Sequence, residues 1–129
     1  MRGLALYCFL SAATYALVGM GLGIFMAASQ DHTLATAHAH LNLIGWVSLA
    51  LFGVYYHLVP SAAASRLGRI HAVLATIGLW LIVPGIALVY LTGFEGLAVA
   101  GSLVTITAMA LFVVVVARNR GTAPAPTDA

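Results

Sequence analysis

Residues 4–28, LALYCFLSAATYALVGMGLGIFMAA, decide the fold. The stretch holds no charged residue and no histidine, and its polar atoms are a few hydroxyls and one thiol. A hydrocarbon core about 30 Å thick is crossed by roughly 20 helical residues at 1.5 Å each. This run is long enough to do so. A spanning β-strand needs alternation of polar and apolar residues, whereas here the residues are apolar all round. Arg2 ahead of the run and Ala27-Ala28-Ser29 at its end resemble a signal peptide with a cleavage site. Signal-peptide apolar regions are only about 7–15 residues long, so the sequence predicts a retained helix.

Three further runs repeat the pattern. The second covers 34–59 and stops at Pro60, which has no N–H to continue a helix. A small-residue loop, 61–68, carries Arg66, with Arg69 just beyond it. The third run covers 70–91, with Pro84-Gly85 inside it as an expected kink. Gly93-Phe94-Glu95-Gly96 reads as a tight turn, and the fourth run covers 97–117. The expectation is an all-α, integral membrane four-helix protein occupying residues 1–120, with a Pro/Ala/Thr-rich disordered tail at 121–129. Composition agrees: 63% of the 129 residues are hydrophobic and 6% charged, against about a quarter charged in soluble domains. The single Cys8 excludes an intrachain disulfide.

All five basic residues are arginines, and Arg2, Arg66, Arg69, Arg118 and Arg120 fall on one side of a four-span chain. Asp31 and Glu95 fall on the other. Basic residues concentrate in cytoplasmic loops, which predicts both termini in the cytoplasm and a bacterial-type inner (plasma) membrane. The arginines thus read as topology, and no nucleic acid is expected as a partner. Gly19 and Gly23 form a GxxxG pair, and Gly45 and Gly53 lie two turns apart in the second run. Such residues let helices approach closely, within the chain or between copies.

Histidine inside a membrane span is costly and tends to face a protein interior or a functional site. His38 and His40 lie one to two turns inside the outer end of the second run. Side chains two apart on an α-helix point about 200° apart, so the pair serves two sites, one on each flank. Each imidazole either hydrogen-bonds a neighbouring helix or ligates a haem or metal ion. Asn42, four residues after His38, shares its face and is placed to orient that imidazole. His32 reads as a solvated loop residue or a cofactor contact. His57 and His71 read as residues near the cytoplasmic interface, where an imidazole can stay wet and serve membrane anchoring or local hydrogen bonding, with a second metal or proton site as the alternative. Trp46, Trp80 and the five tyrosines read as packing and interfacial residues.

The stretch Ala37-His38-Ala39-His40-Leu41-Asn42-Leu43-Ile44-Gly45-Trp46, continuing through Phe52-Gly53-Val54-Tyr55-Tyr56 to Pro60, resembles one helix of the catalytic subunit of haem-copper oxidases. It is similar to the tenth helix of subunit I (cytochrome c oxidase type), which carries His-x-His, a glycine-containing face and an aromatic end before a proline. That subunit has twelve helices in three four-helix arcs, and its His-x-His helix is the second of its arc, near the outer side. The resemblance implies that this chain is a single arc and that a homotrimer rebuilds the ring. In the family, the two histidines ligate haems in adjacent pores. In a homotrimer each pore then receives His38 from one subunit and His40 from its neighbour as axial ligands of a haem b iron.

The family's copper site also needs an adjacent histidine pair, which this chain lacks. The resemblance therefore implies a bis-His cytochrome b for electron transfer without oxygen reduction, exchanging electrons with quinol or a periplasmic carrier. The alternatives are an oxidase-like or nitric-oxide-handling enzyme subunit with an open haem site, a copper-handling membrane protein, and a cofactor-free accessory subunit.

Overall fold

A computed structural model describes residues 1–121; the expected tail, apart from its first residue, lies outside the described residues. The chain is helical throughout, with no strand among the described residues. Four helices are long and apolar enough to cross a membrane: Gly3–Ser29, Ala35–Leu58, Arg66–Thr92 and Gly96–Arg118. The protein is thus a multi-pass membrane protein of four spans, called first to fourth below. Its outer surface matches lipid as the solvent. Leu10, Leu17 and Ile24 recur every seventh residue on the first span and are 62%, 69% and 71% exposed. A stripe of that kind facing water would be a large apolar patch; facing lipid it carries no such cost.

Local chemistry sets the span ends. Gln30 adopts the left-handed conformation (φ 57°) at the end of the first span, and its side-chain amide donates to the Ala27 carbonyl at 2.6 Å. Asp31 then accepts from the Thr33 backbone N–H at 2.9 Å and from the Thr33 hydroxyl at 2.6 Å, closing the turn between the first and second spans. Those two bonds hold the fully exposed Asp31 carboxyl below its usual range, the hydroxyl contributing most. Gly93, at φ 77°, ends the third span, as its place before Phe94 suggests.

The segment expected as a loop at 61–68 is structured instead. Pro60–Ala64 forms a short helix with Pro60 at its first turn, where a missing N–H costs nothing. Ser65 then caps the third span by accepting from the Gly68 N–H at 2.9 Å, so that span begins four residues earlier than hydropathy places it. The third span also runs unbroken through Pro84.

The first and second spans form one hairpin, the third and fourth another. Backbones touch where side chains are small. A Cβ on Gly101 would collide with the Ile82 backbone of the third span, and one on Gly85 would lie 2.7 Å from Ala98 Cα of the fourth. Gly53 sits equally close to the first span, where a Cβ would meet the Phe9 nitrogen at 2.9 Å. Two side-chain bonds tie the first span to the third, Tyr7 to Thr76 at 2.8 Å and Trp80 to Tyr15 at 2.9 Å.

The second span is not α-helical throughout. Leu41–Ser48 winds as a π-helix, with hydrogen bonds from residue i to i+5, a form that is rare beyond a single turn and frequent at functional sites. The burial pattern shows its effect. Ala37, Leu41, Gly45 and Leu49 are all buried, at strict steps of four. In an α-helix each such step overshoots a full turn by about 40°, so Leu49 would sit about 120° away from Ala37. The wider winding keeps all four on one face.

Candidate functional site

His38 lies just before the π-helical segment, half-buried and turned toward the first span of its own chain. Its ring sits over Gly23: a Cβ there would be 3.2 Å from His38 Cε1. One turn further along, Asn42 occupies the place opened by Gly19, where a Cβ would be 2.6 Å from its Oδ1. The GxxxG pair of the first span is therefore the seat of His38 and Asn42, an intrachain contact. Asn42 donates to the His38 backbone carbonyl at 2.9 Å. Its amide nitrogen also stands 3.4 Å from both ring nitrogens of His38. Being equidistant from the two, it cannot lie in line with either lone pair, so it braces the ring more than it bonds it.

His40 leaves the opposite flank. Its Nδ1 lies 2.9 Å from the Thr36 carbonyl, one turn back. A carbonyl only accepts, so Nδ1 carries the proton and Nε2 is left with a free lone pair. This is the arrangement in which second-sphere contacts hold a metal-ligating histidine. Thr36 shares that flank and donates to the Tyr90 hydroxyl of the third span at 3.0 Å. The second span thus sends one imidazole toward the first span and the other along the side facing the third. The two rings do not meet, as their spacing predicts.

The other histidines divide. His32 is exposed in the turn between the first and second spans. His57 is exposed at the opposite end, in a cleft of about 540 Å³ that Arg2 and Pro60 also line. His71 corrects the expectation of a wet interfacial ring: none of its surface is exposed. Gly68, Ala72 and Ala75 let the third span approach so closely that His71 is sealed between rings. It lies edge-on to Phe52, with centroids 4.5 Å apart, and tilted by 32° to Phe112 at 4.9 Å.

Tyr56 donates its phenolic proton to the Gly68 carbonyl at 3.2 Å and lies 2.8 Å from His71 Nδ1. With that proton committed, Nδ1–H of His71 is the donor of the second bond. His71 Nε2 then has no partner among the described residues. Sequence reasoning missed this pair. The one available signal was that Tyr56 and His71 flank a run of small residues, Ser61 to Ser65, with Gly68 just beyond it, that brings their helices together.

No family model, curated protein or solved structure matches the chain. The reading of the site therefore rests on its own geometry. Among the described residues no three of His, Cys, Asp and Glu gather as a metal-binding group. The two rings are held differently. His40 keeps its Nδ1–H on the Thr36 carbonyl, which in the neutral ring leaves Nε2 as the nitrogen able to accept a proton donor or to ligate a metal. His38 rests on Gly23 by its Cε1 edge and is braced by Asn42.

Proposed function

We propose that this protein is a small membrane cytochrome b, in which His38 and His40 from neighbouring copies are the axial ligands of haem b and the chain passes electrons within the bilayer. The observation that carries the reading is the hydrogen bond of His40, whose Nδ1–H is committed to the Thr36 carbonyl, so that in the neutral ring Nε2 is the nitrogen left to act as a ligand. Haem b, when bound, supplies a one-electron couple at its iron. The residues of this chain do the rest. Thr36 fixes the His40 tautomer, Asn42 and Gly23 fix the His38 ring, and the apolar spans keep water from both.

Ligands on opposite flanks of one span call for a second copy to complete each site, which supports a closed cyclic assembly. The resemblance to a haem-copper oxidase arc makes that assembly a homotrimer. Filling both axial positions leaves no open coordination place, which favours electron transfer over oxygen reduction. The clustering of arginines at one end of the bundle supports an inner-membrane protein with cytoplasmic termini, and His38 and His40 toward the periplasmic side. Electrons come from quinol or from a periplasmic carrier.

The test is the absorption spectrum of detergent-purified protein made with ample haem, oxidised and reduced. A low-spin b-type spectrum, lost in both His38→Ala and His40→Ala, is the expected result. A colourless parent protein overturns the reading. Carbon monoxide binding to the reduced form would replace it with the open-haem, oxidase-like or nitric-oxide-handling alternative. Copper in a haem-free preparation would replace it with copper handling.

A further inference from the structure

The spans alternate in direction. One end of the protein thus gathers the starts of the first and third spans, at Gly3 and Arg66, with the ends of the second and fourth, at Leu58 and Arg118. Arg2, Arg66, Arg69, Arg118 and Arg120 all stand at that end. Among the described residues the only carboxylate side chains are those of Asp31 and Glu95, and both stand at the other.

At the arginine end the first span, the second span and the short helix Pro60–Ala64 leave a cleft of about 540 Å³ between them, within the range of small-ligand sites. Arg2 and His57 line it, both exposed, and an imidazole carries at least one N–H donor in either tautomer. Arg69 stands at the rim, where one guanidinium nitrogen donates to the carbonyl of Ala64, a lining residue, at 3.0 Å. A guanidinium has five N–H donors, so that single bond leaves most of the fork for an anion. The rest of the wall is mostly apolar, Leu4, Pro60 and Ala63 included.

We propose that this cleft binds the headgroup of an anionic phospholipid of the phosphatidylglycerol kind, its phosphate taken by Arg2, His57 and Arg69. Depth selects a lipid. The 27-residue first span is about 40 Å long at 1.5 Å per residue. That is roughly 10 Å more than the hydrocarbon core, so its ends stand in the headgroup layer. Charge selects the headgroup. A choline or ethanolamine lipid would bring its ammonium into a site with two arginines and, among the described residues, no carboxylate to receive it. Phosphatidylglycerol brings the same phosphate with uncharged hydroxyls. The apolar wall takes the glycerol backbone and first acyl carbons, which a free phosphate lacks. Basic pockets between spans are where anionic headgroups bind. His38 and His40 lie toward the other end, so this proposal stands apart from the haem reading.

The experiment titrates the full chain in detergent with dioctanoyl phosphatidylglycerol or dioctanoyl phosphatidylcholine and counts bound lipid by native mass spectrometry. Saturable retention of phosphatidylglycerol is expected, with phosphatidylcholine held at least about fivefold more weakly. Arg2→Gln and Arg69→Gln, both at exposed positions, should each weaken phosphatidylglycerol binding about fivefold, the effect of one basic residue near an anionic surface. Arg118→Gln, at the same end but outside the cleft, should change it by less than about twofold. Equal losses in all three variants would show diffuse attraction to the arginine end and overturn the proposal. Equal retention of the two lipids would overturn it as well. Displacement of phosphatidylglycerol by an equal concentration of inorganic phosphate would make the cleft a free-anion site. An oligomer that retains no lipid would mean that a second copy fills it, and sinks the proposal too.

Discussion

Removing one oxygen atom, by Tyr56→Phe, tests the buried pair that hydropathy hides. The phenolic oxygen accepts from His71 Nδ1–H at 2.8 Å and donates to the Gly68 carbonyl at 3.2 Å. Gly68 loses little, because its carbonyl keeps its helical bond. His71 is left with both ring nitrogens unpaired in a site with no exposed surface. Stranding one buried polar group costs about 1–3 kcal/mol, and the single variant should lose that much stability. His71→Phe removes both nitrogens while keeping a ring against Phe52 and Phe112, and leaves Tyr56 its bond to Gly68. It should fall within about 1 kcal/mol of the parent, since same-sized replacement of buried polar groups is often near neutral.

The double variant then has nothing stranded, and should be more stable than Tyr56→Phe alone. The expected coupling is about 1–2 kcal/mol, within the range for residues in direct contact. Unfolding by added sodium dodecyl sulfate, followed by circular dichroism, measures all three. Additive losses, or a double variant less stable than Tyr56→Phe, would show that the hydrogen bond is not what holds His71 in place.

Three further outcomes follow from the same geometry. ¹⁵N spectra should show His40 of the haem-free protein as the Nδ1–H tautomer; an Nε2–H tautomer would remove the main support for its role as a ligand. Gly101→Ala, which drives a methyl into the Ile82 backbone, should destabilise by about 2 kcal/mol or more, whereas Gly21→Ala, with nothing within 4 Å, should be neutral or stabilising by up to about 1 kcal/mol in a thermal unfolding comparison. Asp31, whose pKa is lowered in the fold by Thr33, should hold the turn between the first and second spans at pH values above its unfolded pKa, near 4, and release it as pH falls through its lower folded value. Carboxyl ¹³C titration should show Thr33→Val moving that pKa up toward the ordinary value.

The spans were legible because a bilayer imposes a length, and lipid tolerates few charges within it. Boundaries fell within a residue or two at seven of the eight ends. The exception, the start at Arg66, was hidden because hydropathy weighs an arginine as the end of a span, while a serine cap decides where the backbone begins to wind. The divergence of His38 and His40, and the place of Asn42 beside His38, were legible from residue angles alone. What they pack against was not. Gly19 and Gly23 fitted an intrachain or an intersubunit contact equally well, since a small residue records only that something comes close. His71 read as wet because position along a helix gives depth in the membrane and says nothing about which neighbours close around it. Tyr15 and Trp80 read as packing and interfacial residues by type; they pack on each other, and their positions in the runs already placed them at mid-depth.

The π-helical stretch is the feature that hydropathy could not reveal, because winding changes the angle between residues and leaves composition untouched. With α-helical winding throughout, the face that begins at Ala37 would drift about 120° by Leu49, and the flanks on either side of it would turn with it. Wide winding from Leu41 to Ser48 holds that face straight. That face carries Gly45 against the first span, where a Cβ would lie 3.2 Å from Tyr15 Cβ, while His38 and Asn42, on the neighbouring flank, meet Gly23 and Gly19 of the same span.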